Sequence, residues 1–212
     1  KVRRVDVASR TVTTLAGSGA QAFSDGVGAV ARIMQPWGIA VTPDGATVYV
    51  SSSTDTIRKI DVASRAVTTL AGMHNQAAST DGVGTNARFN APEQIALAGT
   101  YLYVADKLNK IIRRVDVSSG AVTTVAGSGA SGSADGGSDV ATFATPVGIA
   151  STPNGMLVLV ADGHKIRQFL PLALYPFPPS LPPLPSFPPS TPPLPPSPPP
   201  APPGAMVSTL AG

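Results

Sequence analysis

The sequence predicts an all-β protein built from repeated four-stranded blades, the architecture of a β-propeller. Closely similar blocks recur every 55 residues, beginning at Arg3, Arg58 and Arg113. Each repeat holds four short runs rich in Val, Ile, Thr and Tyr, which favour strands, and turn-forming residues separate the runs. No window shows sustained 3.6-residue periodicity, which excludes a helical solenoid.

The four runs are clearest in the second repeat, where they are "GIAV", "TVYVS", "TIRKIDV" and "AVTTLAG". The chain begins at a third strand, Val2 to Val7, and continues into a fourth strand, Thr11 to Leu15. Three further repeats follow, so we predict about three and a half four-stranded blades. We expect that this sequence alone does not close a ring, and that further chain or other copies complete it.

Two more sets of motifs recur with the repeat. The first comprises "SDGVGAVARIMQPWGIAV" from Ser24, "TDGVGTNARFNAPEQIAL" from Thr80 and "ADGGSDVATFATPVGIAS" from Ala134. The second includes "YLYVAD" from Tyr101, which precedes "IIRRVD" and "GAVTTVAG". Together these motifs resemble the NHL repeat over residues 1–167 and the last seven residues. The resemblance implies one propeller blade per repeat, with six blades usually closing a ring.

Composition excludes several classes of partner. The net charge is +3, but the 15 basic and 12 acidic residues are interspersed, so we predict no nucleic-acid partner. The absence of cysteine excludes a disulfide framework. No segment is predicted to span a membrane, because the long uncharged stretch is too rich in proline to satisfy its backbone in lipid.

A proline-rich segment interrupts the last repeat. Of the 23 prolines, 18 lie between Pro171 and Pro203, and the repeat pattern resumes with "GAMVSTLAG". We therefore divide the chain into NHL-like blades (1–168), a polyproline II insertion (169–203) and a returning last blade strand (204–212). The insertion falls at the hairpin turn between a third and a fourth strand.

The length of this insertion raises a question of connectivity. At about 3.1 Å per residue, the proline-rich stretch extends on the order of 100 Å, which a single hairpin turn does not span. Either the insertion doubles back, or the last strand pairs in a neighbouring blade or molecule. The residues for such strand exchange are Met206, Val207, Ser208, Thr209 and Leu210.

The blocks "PPSPPPAPP" and "LPP" resemble the hydroxyproline-rich glycoproteins of plant and green-algal cell walls and flagellar surfaces. This resemblance implies prolyl hydroxylation and O-linked arabinose or galactose. The candidate positions are Pro178, Pro179, Pro182, Pro183, Pro188, Pro189, Pro192, Pro193, Pro195, Pro196, Pro198, Pro199, Pro200, Pro202 and Pro203. The alternative is a bare spacer or a ligand for proline-binding domains.

Residues typical of catalysis are scarce. The two histidines, His74 and His164, have no second imidazole or carboxylate at ligand spacing, so we predict no enzyme, no metal and no cofactor. An NHL-type lyase is a less favoured alternative. The Asp-Gly pairs at Asp25, Asp81 and Asp135 are interpreted as ordinary turns.

Three other polar or aromatic features receive structural roles. Asp106 and Asp162 are expected to hold the turn into "IR" by side-chain to backbone hydrogen bonds. The recurring arginines occupy one structural position and are assigned a repeated packing or turn role: Arg3, Arg58, Arg113 and Arg167. Trp37 is expected to be partly buried on the first strand of a blade.

These observations predict an extracellular structural glycoprotein of the cell wall, extracellular matrix or flagellar surface. Its blades assemble, and the glycosylated rod provides reach or contact between subunits in a fibre or coat. We expect self-association into a homo-oligomer or filament. The alternative is a protein-binding propeller whose bare proline-rich segment recruits a partner.

Overall fold

The computed structural model describes residues 1–170 and the strand at residues 206–211. These residues form four antiparallel β-sheets and no α-helix. The first sheet has two strands, and each of the other three has five. This confirms the all-β class and the three and a half blades.

The sheets follow one another along the chain. The half-blade contains β1 (Val2–Asp6) and β2 (Thr11–Ala16). The second blade contains β3 (Gly26–Val27), β4 (Pro36–Val41), β5 (Thr47–Ser52), β6 (Thr56–Asp61) and β7 (Ala66–Gly72). The third blade contains β8 (Gly82–Val83), β9 (Pro92–Ala98), β10 (Tyr101–Asp106), β11 (Ile111–Asp116) and β12 (Ala121–Ala126). The fourth blade contains β13 (Gly136–Gly137), β14 (Pro146–Ser151), β15 (Val158–Asp162), β16 (Lys165–Leu170) and β17 (Met206–Ala211).

Each full blade carries a short fifth strand that the sequence did not predict. The strand β3, for example, pairs with β7 through Gly26 opposite Val67 and Val27 opposite Ala66. It belongs to the crossing segment, the stretch that leads from the outer strand of one blade to the inner strand of the next. The crossing segment therefore passes the outer edge of its own blade before it reaches the centre.

Alternation along the strands gives every blade two apolar faces. The backward face packs on the preceding blade, as Leu102 and Val104 do against Tyr49 and Ile57 of the second blade. The forward face packs on the following blade, as Tyr103 does against Ile149. The core thus consists of three clusters between successive sheets rather than one centre. Strands with apolar side chains on both faces are consistent with this double burial.

The inner strands of the second and third blades approach each other closely at Gly38. A Cβ atom at this position would lie 2.6 Å from the carbonyl oxygen of Glu93. The Gly38 amide donates a hydrogen bond to Ser51 Oγ at 2.8 Å, and Ser51 Oγ in turn donates to the Glu93 carbonyl oxygen. The missing side chain thus lets a serine hydroxyl tie two inner strands together.

The last blade is completed by β17, which pairs with β16 of the same chain. Leu170 lies opposite Met206, and Ile166 lies opposite Ala211. The short strand β13 pairs with the other edge of β17. Exchange of this strand between molecules stays a prediction.

The candidate hydroxylation and glycosylation sites lie outside the described residues, which exclude 171–205. The first two residues of the insertion predicted at 169–203 belong to β16, because this strand continues to Leu170. Among the helices of the described residues, none is long and apolar enough to cross a membrane.

Candidate functional site

One buried arginine lies at the same place in every full blade. Arg58, Arg113 and Arg167 occupy the third long strand, and their side chains are completely buried. They belong to the backward face, beside the apolar residues that pack on the preceding blade. A buried guanidinium needs partners for its charge and for its N–H groups. In each blade the crossing segment supplies partners for the two Nη atoms, whereas the buried Nε atom has no hydrogen-bond partner among the described residues.

The third blade shows the arrangement. Arg113 Nη2 donates to Asp81 Oδ1 at 2.8 Å and to the Thr80 carbonyl oxygen at 3.0 Å, and its Nη1 donates to the Arg88 carbonyl oxygen at 2.8 Å. Asp81 also accepts hydrogen bonds from the amide and hydroxyl of Thr124 on β12. The arginine therefore fastens the crossing segment to two strands of its own blade.

A second carboxylate joins this cluster from the end of β10. Asp106 Oδ2 accepts from Arg113 Nη1 at 3.0 Å, and both side chains are fully buried. Asp106 also accepts from the Asn90 amide at 2.8 Å and from Asn109 Nδ2 at 2.9 Å. Burial raises the pKa of Asp106 to about 6, although these hydrogen bonds and the charge of Arg113 act in the opposite direction.

The fourth blade repeats the two-carboxylate arrangement. Arg167 contacts Asp135 at 2.7 Å and Asp162 at 3.3 Å. Asp162 Oδ1 also accepts from the amides of Ala144 and Thr145. Asp162, like Asp106 in the third blade, therefore holds the chain segment just before the inner strand of its blade.

The second blade differs because Ser52 stands where the other blades have this aspartate. Among the described carboxylates Arg58 pairs with Asp25 alone, at 2.6 Å, and Asp25 has half of its side chain exposed. Burial lowers the pKa of Arg58, and the charge of Asp25 opposes that shift. Asp25 also accepts hydrogen bonds from the amide and hydroxyl of Thr69 on β7.

An aromatic ring lies against each guanidinium. Arg113 lies 5.2 Å from the ring centre of Phe89, and Arg167 lies 5.0 Å from that of Phe143. In the second blade Ile33 replaces this phenylalanine, and Phe23 contacts Arg58 at 4.4 Å instead. Phe23 also stacks on His74 with ring centres 4.4 Å apart. Cation–π contact therefore covers the apolar side of each cluster.

The predicted packing role of the recurring arginines is confirmed for these three residues. Arg3 differs because it is exposed, and its Nε donates to the Thr13 carbonyl oxygen at 3.4 Å. Trp37 lies on the first long strand of its blade, β4, as predicted, but with 47% of its surface exposed it is less buried than expected.

The prediction of ordinary Asp-Gly turns is wrong. Asp25 is an ion-pair partner, and the following Gly26 begins a strand. Asp106 and Asp162 accept hydrogen bonds from backbone amides, as predicted. The amides belong to the segment before the inner strand, however, and not to the turn that was expected. The signal that could have identified these ion pairs is the recurrence, in three repeats, of an Asp-Gly pair together with an arginine at one strand position.

A polar cavity of about 410 Å³ lies next to the cluster of the third blade. It is lined by Ser79, Leu108, Asn109, Ile111, Thr124, Gly127, Ser128 and Gly129. Asn109 separates it from the buried Asp106, to which it donates a hydrogen bond. The lining of the cavity offers hydroxyl, amide and backbone groups for hydrogen bonds.

The described residues contain no group of three or more His, Cys, Asp or Glu side chains that would hold a metal ion. Asp106, whose pKa is raised, is enclosed in an ion pair with Arg113 that fastens chain segments. Structural ion-pair networks can perturb pKa values as catalytic sites do.

No protein-family model matches the chain. NHL repeat-containing protein 2 of Bos taurus is 32% identical over 151 residues, which cover 65% of this chain and 21% of that protein. Protein SUPPRESSOR OF QUENCHING 1, chloroplastic, of Arabidopsis thaliana is 29% identical over 147 residues, covering 65% of this chain and 14% of that protein. The chain thus spans about a fifth or less of these relatives.

Two solved structures share the fold. An auxiliary nutrient binding protein from Bacteroides ovatus matches with a TM-score of 0.63 and 23% identity, over 78% of this chain and 42% of that one. Its counterpart from Bacteroides thetaiotaomicron has a TM-score of 0.61 and 24% identity, over 76% and 40%. The fold is therefore that of β-propeller blades. Together with the NHL repeat-containing relatives, these matches support an NHL-type propeller.

Proposed function

We propose that this chain is a scaffold-type β-propeller that works within an extracellular structural glycoprotein. In this proposal the blades form a rigid platform, and the proline-rich segment carries hydroxyproline and O-linked arabinose or galactose. The blades self-associate into a fibre or surface coat, while the glycosylated segment provides reach between subunits. Catalysis is no part of this function.

The pairing of Leu170 with Met206 carries the proposal. Because these residues lie opposite each other in one sheet, both ends of the proline-rich stretch are anchored at the same point of a rigid blade. Such an anchorage suits a segment that connects a rigid platform to other subunits. The described buried carboxylates support the same function, since they serve to fasten the crossing segments and leave the blades as structural units.

Mass spectrometry of the native protein tests the modification. Proteolytic peptides that span residues 171–203 are expected to carry increments of about 16 Da for hydroxylation and about 132 Da for each pentose. The peptides of the blades, residues 1–168, serve as the internal control and should have unmodified masses. An unmodified proline-rich peptide from the native source contradicts the glycoprotein proposal and favours recruitment of a proline-binding domain.

Sedimentation of the same native material tests assembly. We expect species larger than one chain, and their size should fall after enzymatic removal of the glycans if the modified segment connects subunits. A single monomeric species at all concentrations contradicts the scaffold proposal.

A further inference from the structure

Two stacked aromatic rings lie beside the arginine cluster of the second blade. Phe23 belongs to the crossing segment that enters this blade, two residues before Asp25. His74 belongs to the segment that leaves the blade, two residues after Gly72. The ring centres are 4.4 Å apart with 8° between the ring planes, and Phe23 also contacts the Arg58 guanidinium. Flat rings therefore occupy the space between the entering and the leaving segment of this blade.

The third blade has small residues at both of these positions. Ser79 lies two residues before Asp81, where the second blade has its phenylalanine. Gly129 lies two residues after Gly127, where the second blade has its histidine. Ser79 and Gly129 both line the polar cavity of about 410 Å³. The cavity of the third blade therefore lies where the second blade has its stacked rings.

The exposure of an equivalent threonine agrees with this difference. Thr69 and Thr124 lie opposite Arg58 and Arg113 in the registers of their blades. Each threonine donates its hydroxyl to the aspartate of the entering segment. Thr69 is half-buried, whereas Thr124 lines the cavity and is exposed. The cavity is thus open to solvent beside Thr124, which allows a small ligand to enter.

The fourth blade has a lysine next to the corresponding segment. Lys165 lies two residues before the buried arginine of its strand, as Ile111 does in the third blade. Its Nζ donates to the hydroxyl of Ser133, the counterpart of Ser79, at 3.4 Å. Among the described full blades, the third alone has neither an aromatic pair nor a lysine beside the entering segment.

The Asn109 side chain offers a fixed hydrogen-bond acceptor to the cavity. Its Nδ2 donates to the Ala78 carbonyl oxygen at 2.8 Å and to Asp106 Oδ2 at 2.9 Å, so both of its N–H groups are used. The oxygen Oδ1 is the part of this amide that is left for a ligand, and the two hydrogen bonds fix its orientation. Ser79 and Ser128 add hydroxyl groups to the same lining.

We propose that this cavity binds a small, uncharged, planar nitrogen heterocycle. The flat ring takes the place that Phe23 and His74 occupy in the second blade, and it lies against the aliphatic side chains of Leu108 and Ile111. A ring N–H donates to Asn109 Oδ1. The described lining residues are uncharged, so they offer no counter-charge to an ion. The volume of about 410 Å³ is typical of a small-molecule site. This inference does not depend on the proline-rich segment, its modification or self-association.

Benzimidazole is a suitable probe, because it is flat, uncharged at neutral pH and carries one N–H group and one acceptor nitrogen. Titration of the complete chain, followed by nuclear magnetic resonance, should give saturable shifts of the Ser128 and Gly129 backbone amides and of the Asn109 side-chain amide. 1-Methylbenzimidazole has the same rings without the N–H group. It should bind about tenfold more weakly, because it makes no hydrogen bond to Asn109 Oδ1.

Ser79→Phe copies the second blade and tests where the probe binds. The added ring should fill the cavity and abolish the saturable shifts, whereas Ser79→Ala keeps the space and should retain them. Ser133→Phe is the matched control, because it makes the same substitution at the equivalent position of the fourth blade and should leave the affinity unchanged. Both serines are exposed, and unshifted amides of the second blade in the same spectra verify that each variant is folded.

Four results would overturn the proposal or its geometry. The first is the absence of saturable shifts at the named amides with either probe. The second is undiminished binding to the Ser79→Phe variant, which would place the probe elsewhere. The third is tighter binding of methyl glucoside than of benzimidazole, which would assign the cavity to a neutral sugar. The fourth is equal affinity for the two benzimidazoles, which would refute donation to Asn109.

Discussion

The second and third blades have similar sequences and the same strand order, yet their buried arginines and inner strands lie in different surroundings. Arg113 contacts two carboxylates, one of which is fully buried, whereas Arg58 contacts one half-exposed carboxylate. Ile95 is covered by the preceding blade, whereas Ile39 is not. The same repeat position therefore contributes differently to stability in different blades, because the residues around it, in its own sheet and in the adjacent sheet, determine its contribution.

The largest difference is expected from removing the arginines. Arg113→Met should lower the free energy of unfolding by about 3 to 5 kcal/mol, because it leaves Asp106 buried without its cation. Arg58→Met should cost about 1 to 3 kcal/mol, since the partner it leaves, Asp25, is half exposed. Urea unfolding at neutral pH measures both variants. Equal losses would contradict the assigned role of the second carboxylate.

Shortening the inner-strand isoleucines should give the next largest difference. Ile95→Ala removes apolar contacts between two blades and should cost about 2 to 4 kcal/mol. Ile39→Ala acts at the same repeat position but on an exposed side chain, and should change stability by less than about 0.5 kcal/mol. The two variants are matched in chemistry, so their urea midpoints compare burial alone. A large loss for Ile39→Ala would show that this face is covered in solution.

The buried carboxylate should make the third blade sensitive to pH. The folded pKa of Asp106 is raised from 3.8 to about 6, so the folded state holds this proton more tightly than the unfolded chain. Its contribution to stability is therefore complete below pH 4 and is lost as pH rises to about 6, on the order of 3 kcal/mol. Asp106→Ser, which copies Ser52 of the second blade, should remove this slope between pH 4 and 7. Urea unfolding across that range measures it, and an unchanged slope would refute the shift.

The smallest effect is expected at an exposed turn of the third blade. Hydrogen bonds from the Ser118 hydroxyl and the Ser119 amide lower the pKa of Asp116 to about 2. A lowered pKa stabilises the fold above pH 4, and this stabilisation is lost as pH falls toward 2. Asp116→Asn should therefore lower stability slightly at neutral pH and reduce its acid dependence. Nuclear magnetic resonance titration of the Asp116 carboxyl measures the shift directly, and an ordinary pKa would contradict it.

Most of the fold was predictable because the 55-residue repeat and the short strand-forming runs within it indicated the same blades. The 55-residue period located the blades, and runs such as "TVYVS" located strands with ends within one residue or two of those observed. The short strand Gly26–Val27 was missed, since two residues without alternation give no strand signal. It forms only because the crossing segment passes the outer edge of its blade.

The arginine clusters were predictable only in part. Recurrence at one position correctly indicated a packing role for Arg113. Its partners were not identified, because Asp81 lies 32 residues away and sequence spacing does not show which chain segments meet. The same limit applies to Asp106, which accepts a hydrogen bond from the backbone amide of Asn90 in the segment before β9.

The sequence by itself determined the repeated blade, its strand order and the position of the proline-rich segment, because alternation and turn residues are local properties. The tertiary structure determined how residues at the same repeat position differ in burial and in ion pairing. Arg113 is paired because the crossing segment and β10 of its own blade bring two carboxylates to it, and Ile95 is buried because the preceding sheet packs against it. Burial and ion pairing both depend on chain segments that are distant in the sequence, and the pattern of a repeat does not show which segments meet.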